Sequence, residues 1–167
     1  MGQTVSHVVL PGTYDPVTLG HVDVIKRAAR LFPQVTVGVA ASRSKRGVGT
    51  AFTLDERVRM IEEALAECSI ERVQVLPFEG LLVDFCHELG AKGVVKGLRA
   101  MTDFEYELQQ ADLNAHLAPD LESVFVMASP EFGYVSSSIV RELAALGSSV
   151  HGLVPTCVEA HLRRQFA

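Results

Sequence analysis

Five short, β-branched apolar runs, each followed by an amphipathic helical stretch, constrain the fold of this chain more than any other feature. Residues 8–10, 35–40, 73–76, 93–96 and 124–127 read as strands, being short, rich in valine and bounded by turn residues. Helical periodicity runs over residues 20–31, 53–67, 81–89, 102–117 and 137–146, and a sixth helix is expected after Pro155. The second helix declares its start most clearly: Thr53 and Glu56 make a capping box, and Leu54, Val58, Ile61 and Leu65 form one apolar stripe. In the fourth, Phe104, Leu108, Ala111 and Ala115 form a stripe expected to be buried. Strands and helices in strict alternation give a parallel sheet covered on both faces through right-handed crossovers, a doubly wound α/β fold. Ligands of such a sheet bind at the carboxyl ends of its strands, where the order of winding reverses.

The turn after the first run is the best candidate for that role. Val8 to Leu10 lead into Pro11-Gly12-Thr13-Tyr14-Asp15-Pro16-Val17-Thr18-Leu19-Gly20-His21, and Val22, Ile25, Ala29 and Phe32 then mark the buried face of a helix beginning near Gly20. Its unpaired N–H groups and its dipole favour an anion at the turn. An imidazole at His21, in the first helical turn, feels the positive dipole end and rests neutral, able to donate one N–H to a phosphate oxygen that gains charge. Thr13 adds a hydroxyl and a backbone N–H, Thr18 is a candidate cap, and Gly20 leaves room for a ligand against the backbone. The alternative is that Thr18 merely caps a helix and His21 packs at its rim; the tetrapeptide Thr18-Leu19-Gly20-His21 by itself does not choose.

Other conspicuous polar residues fall on the same rim. Lys45 follows the second strand, Lys96 to Arg99 the fourth, and Phe132 to Ser138 the fifth. Lys96 closes an apolar strand and, with Arg99 after the close turn at Gly97, could hold two phosphate groups; each could instead pair with an acid such as Asp103 or Glu105. Lys45 lies in a polar loop that on its own reads as a solvated connection. Glu107 lies near the edge of the fourth helix's stripe, where a solvated carboxylate is the simplest reading. Ser136, Ser137 and Ser138 open a helix that needs one serine as cap, leaving hydroxyls for phosphate.

Composition narrows the class. The 167 residues are expected to form one domain, 1–167, and 48% hydrophobic with 21% charged residues is ordinary for a soluble globule. A net charge of -5 argues against a general nucleic-acid binder, so any anion site is local. The first Lys or Arg is Lys26, and no run of about 18 apolar residues could span a bilayer, so a cytoplasmic protein without membrane association is expected. Three cysteines without a C-x-x-C pair suit a reducing compartment, and the six histidines form no zinc motif.

Residues 11–21, then Val95-Lys96-Gly97-Leu98-Arg99, Asp103-Phe104-Glu105-Tyr106-Glu107 and Val135-Ser136-Ser137-Ser138, resemble in order and spacing the phosphopantetheine adenylyltransferase family, within the H/T-x-G-H nucleotidyltransferase superfamily. The resemblance runs from Val8 to about Leu162. It implies a Rossmann-like nucleotidyltransferase fold, strand order 3-2-1-4-5, and transfer of the adenylyl group of ATP to 4'-phosphopantetheine with Mg²⁺ on the triphosphate. It implies catalytic roles for His21, Lys45 and Arg99, and acceptor contacts from Thr13, Lys45, Leu82, Lys96 and Asn114. To ATP binding it assigns Thr13, Tyr14, His21, Gly97, Leu98, Arg99, Glu107, Phe132, Gly133, Tyr134, Val135, Ser136, Ser137 and Ser138. It further implies a homohexamer and feedback inhibition by coenzyme A. Two departures stand out: Gly133 occupies the place of an expected serine between aromatics, and the loop continues through Gly47-Val48-Gly49-Thr50-Ala51, longer than the family pattern. Two other readings are a superfamily relative acting on another acceptor, such as nicotinamide mononucleotide or an alcohol phosphate, and a nucleotide-binding module without catalysis.

Overall fold

Val8, Val9 and Leu10 are all buried, as a strand covered on both faces requires, but they go to different cores. Val8 and Leu10 join a large cluster with Ile25, Met60, Ile61, Val140 and Leu162, whereas Val9 joins a smaller one with Val83, Phe85, Cys86 and Val94. This period-two division divides the molecule into layers. A computed structural model describes residues 4–41, 49–99 and 101–167, with residues 101 and 102 described in their backbone alone.

The five strands are β1 (His7–Gly12), β2 (Gln34–Ala40), β3 (Val73–Phe78), β4 (Gly93–Leu98) and β5 (Glu122–Met127). All neighbours pair in parallel, in the order β3-β2-β1-β4-β5. The order of winding therefore reverses between β1 and β4, as the resemblance implied. The helices are α1 (Leu19–Leu31), α2 (Leu54–Glu67), α3 (Leu82–Glu88), α4 (Met101–Leu117), α5 (Ser137–Ala145) and α6 (Thr156–Phe166). A short 3-10 turn at Pro130–Phe132 precedes α5 and was not expected from the sequence.

Helices α1, α2, α5 and α6 bury their stripes in the large cluster. Within α2, Met60 and Ile61 are fully buried, each stabilising the fold by roughly 1.5–3 kcal/mol. The capping box expected there is present, with Glu56 accepting from the Thr53 N–H at 2.8 Å. On the opposite face the cover is thinner, and α3 lays Phe85 against Phe78 in a stack 4.6 Å apart, directly over Gly38.

The buried stripe expected on α4 is not buried. Phe104 and Leu108 are 39% and 41% exposed, Ala115 is exposed, and Ala111 is half-buried. Periodicity determines which residues share a helix face, but not whether the same chain supplies something to cover it. Firm burial in this region comes after the helix ends, at Ala118 and Leu121.

Candidate active site

A cleft of about 360 Å³ opens between the carboxyl ends of β1 and β4, where the winding reverses. His21 and Gly20 border it from the start of α1, Lys96, Gly97 and Arg99 from the end of β4, Glu107 from α4, and Ser136, Ser137 and Ser138 from the start of α5. Two helix N-termini thus meet two cations and one imidazole.

The turn that delivers His21 is held internally. Thr18 caps α1, its Oγ1 accepting from the His21 N–H at 3.3 Å, while the Thr18 N–H donates to His21 Nδ1 at 3.0 Å. A histidine here takes the place that a Glu or Gln has in an ordinary capping box. The consequence is chemical: Nδ1 is an acceptor, so the proton of the neutral ring sits on Nε2. Burial first, and the Arg99 charge second, push the His21 pKa down to about 4, so the ring is neutral throughout the physiological range. The helix dipole, which the sequence places at the same ring, favours the same neutral state.

Tyr14 braces the ring. Its own ring meets His21 edge-on at 4.9 Å, and its hydroxyl is turned inward to donate to the Leu10 carbonyl at 3.0 Å. Burial raises the Tyr14 pKa, so it remains a phenol. Tyr14 adopts a φ of 51°, and a Cβ at Gly12 would lie 2.8 Å from its ring, which accounts for a glycine there. Gly97 is required in the same way, since its Cβ would meet Val24 Cγ2 at 2.9 Å. At Gly20 the nearest atoms to a Cβ are 3.5 Å away, ordinary contact, so nothing among the described residues demands glycine.

The cations are paired. Arg99 donates through Nε and Nη2 to the Asp103 carboxylate at 3.1 and 3.4 Å and through Nη1 to the Val135 carbonyl at 3.0 Å. Lys96 Nζ lies 3.3 Å from Glu107 Oε2, a buried oxygen that has no hydrogen bond of good geometry among the described residues. Both acidic-partner readings are therefore realised, with Asp103 as anticipated and Glu107 in place of Glu105, yet all four side chains border the cleft. Glu107 is half-buried rather than solvated. The three serines divide their work: Ser136 caps α5, Ser137 Oγ donates to the Pro16 carbonyl at 2.8 Å, and Ser138 Oγ accepts from Arg141 at 3.4 Å.

Of the other residues singled out in the sequence, Phe132 and Val135 border the cleft, and Val135 is buried. Thr13 lies in the turn and offers its carbonyl to Arg57 at 2.7 Å. Leu98 is buried at the end of β4, and Gly133 and Tyr134 follow the 3-10 turn, with Tyr134 well exposed. Leu82 opens α3 and Asn114 lies toward the end of α4; neither borders the cleft. Lys45 lies outside the described residues. Sequence reasoning passed over Arg57, Asp15 and Asp23. No local motif marks them, although Arg57 at an otherwise buried position of α2 was a visible anomaly.

With this geometry in hand, comparison with known proteins is decisive. The chain matches the cytidylyltransferase-like family over residues 9–143. It is 48% identical over 158 residues to the phosphopantetheine adenylyltransferase of Moorella thermoacetica, covering 95% of this chain and 96% of that one. The chain belongs to the phosphopantetheine adenylyltransferase family. The Deinococcus radiodurans member is 47% identical over 161 residues, covering 96% of this chain and 94% of that protein. Among solved structures, a bifunctional NMN adenylyltransferase/ADP ribose pyrophosphatase from Francisella tularensis superposes with a TM-score of 0.74 over 96% of this chain at 14% identity. This chain spans 49% of that protein's length, and the likeness is one of fold. The same bifunctional protein has been solved complexed with AMP and a Mn ion. Family membership makes the chain a nucleotidyltransferase, an enzyme of coenzyme A biosynthesis.

Proposed function

We propose that the cleft transfers the adenylyl group of ATP to 4'-phosphopantetheine, giving dephospho-coenzyme A and pyrophosphate, by in-line displacement within one domain spanning 1–167. An oxygen of the acceptor phosphate attacks the α-phosphorus, and the bond from that phosphorus to the pyrophosphate oxygen breaks. The acceptor phosphate is already an anion at neutral pH, so positioning and charge stabilisation suffice, without a protein nucleophile or strong base. The observation that carries this reading is the tautomer of His21: with Nδ1 taken by the Thr18 N–H, a neutral ring bordering the cleft presents Nε2–H as a donor.

In this reading His21 meets the charge developing at the α-phosphate, and Lys45 and Lys96 align the acceptor phosphate. Arg99 and the segment from Ser136 to Ser138 hold the phosphates that leave. Glu107 and the residues from Phe132 to Val135 bind the nucleoside end of ATP, and Thr13, Leu82 and Asn114 contribute to the acceptor. Mg²⁺ fits as a companion of the triphosphate, because both carboxylates of the cleft are engaged by cations, Asp103 by Arg99 and Glu107 by Lys96. When bound it spreads charge on the departing phosphates. Coenzyme A, which shares the pantetheine arm, acts as a feedback inhibitor at the same cleft. The copies assemble as a homohexamer, supported by exposed Phe104, Leu108 and Leu113 on α4, which leave an apolar surface for subunit contact.

Pyrophosphate release from ATP tests the reading. The expected result is release with 4'-phosphopantetheine, lost when Lys45 is replaced by Ala. Release with nicotinamide mononucleotide or an alcohol phosphate instead would reassign the acceptor, and ATP binding without release from any acceptor would make the chain a binding module.

A further inference from the structure

One buried cation takes no part in the chemistry just described. Arg57, in the first turn of α2, is only 2% exposed, and no carboxylate forms a salt bridge with it among the described residues. Instead it donates to three backbone carbonyls: Thr13 at 2.7 Å, Ala40 at 2.9 Å and Phe52 at 3.3 Å. These belong to the turn after β1, the last residue of β2 and the residue before the α2 cap. Beside it Asp15, 5% exposed, accepts from the backbone N–H groups of Ala51 at 2.8 Å and Phe52 at 3.0 Å. Asp15 is itself tied to Arg141 of α5, which donates to its carbonyl and lies 3.6 Å from its carboxylate.

The pattern is specific in what it joins. Ala40 is where the chain leaves β2 and Ala51 is where it returns to α2, and the connection between them carries Lys45. Arg57 holds the outgoing end and Asp15 the returning end, and both are fastened to residues 13–15 of the turn that leads to His21. A buried guanidinium is a costly way to close a core, since an apolar side chain of similar volume often serves stability as well. What it supplies instead is a rigid planar fork able to span carbonyls on three elements, which a lysine ammonium cannot reproduce.

We propose that Arg57 and Asp15 are positioning residues for acceptor use: together they set the distance between the Thr13 turn and both ends of the connection bearing Lys45. The nucleotide-binding segments after β4 and β5 are held by contacts other than those of Arg57, among them Arg99 on Val135 and Ser129 on Asp23 at 2.8 Å, so ATP affinity is expected to survive replacement of Arg57, whereas Asp15 also reaches α5 through Arg141. The inference rests on the adenylyl-transfer reading for its kinetic arm and on geometry alone for its structural arm.

The test compares the wild-type chain with Arg57→Lys and Asp15→Asn. In Arg57→Lys, kcat/KM for 4'-phosphopantetheine is expected to fall tenfold or more while the Kd for ATP, measured by calorimetry, stays within about twofold. Amide exchange at Ala51 and Phe52 is expected to quicken at least tenfold, with β4 unchanged. Unchanged exchange at Ala51 and Phe52, or equal losses for ATP and acceptor, would overturn the proposal. If Arg57→Lys does not fold, Asp15→Asn carries the amide-exchange readout, its ATP affinity being left out because Asp15 also holds Arg141 of α5. If the wild-type chain releases no pyrophosphate with 4'-phosphopantetheine, the functional reading fails, and the exchange comparison still decides whether the pair holds the connection.

Discussion

The turn after β1 and the end of β4 both bring charge-handling groups to the cleft, but they hold them in opposite ways. His21 is neutral, half-buried and locked: one ring nitrogen is occupied by the Thr18 backbone, the ring is braced by Tyr14, and the helix cap itself depends on the arrangement. Lys96 and Arg99 are charged, partly exposed, and lean on Glu107 and Asp103 of a helix whose apolar side faces outward. The Arg99–Asp103 pair, the more exposed of the two, is worth about 0–1 kcal/mol, so an incoming phosphate can displace it. The His21 donor is preorganised, and the cations are adjustable. Transition-state stabilisation belongs with the first arrangement and ligand capture with the second.

This contrast can be broken at either side. The largest effect is expected from His21→Ala, which should lower kcat by roughly a hundredfold or more with the fold intact by circular dichroism, as for loss of one oxyanion donor. Near-normal turnover would remove the imidazole from the mechanism. Lys96→Ala should act on binding instead, raising the KM for 4'-phosphopantetheine by about tenfold or more, in line with about 1.5–3 kcal/mol for a charged hydrogen bond. ATP affinity should change little. Equal losses for both substrates, in separate titrations, would mean that freeing Glu107 disturbs the whole cleft.

Two smaller effects sharpen the comparison. Leu108→Glu combined with Leu113→Glu should leave the melting temperature of the isolated chain nearly unchanged, because both residues are exposed, yet lower the mass seen by light scattering. An unchanged mass would make that face plain surface. For His21, an NMR titration should place the ring's midpoint near pH 4 rather than near 6.5. Since the unfolded ring binds its proton more readily than the folded one, this group's contribution to stability is present above about pH 6.5 and lost as the pH falls toward 4. The wild-type urea midpoint should therefore drop more between pH 7 and pH 5 than that of His21→Gln.

Much of the rim could be read residue by residue. Val8 to Leu10 and Thr18 to His21 announced a strand, a turn and a capped helix because their signals are local: β-branched runs, a hydroxyl before the helix and a period of 3.6. The partners of Lys96 and Arg99 were half legible, since Asp103 lies one helical turn from Arg99, but Glu107 reaches Lys96 only through the packing of α4 against β4. Arg57 was visible as a charge on the buried side of α2, but its partners were not legible. Its acceptors are carbonyls 44, 17 and 5 residues away, and a carbonyl carries no sequence signature.

From the order of its residues alone the chain specified its alternating elements, the helix caps, and through family resemblance the sheet order and the rim where the motifs gather, because each of these depends on short-range chemistry or on a pattern repeated in relatives. The tertiary structure decided the rest: which nitrogen of His21 keeps its proton, which acids hold the cations, that one face of α4 stays uncovered, and that a buried arginine ties three elements together. Those outcomes depend on burial and on groups distant in sequence meeting at hydrogen-bond range, and neither exists until the sheet has closed between β1 and β4.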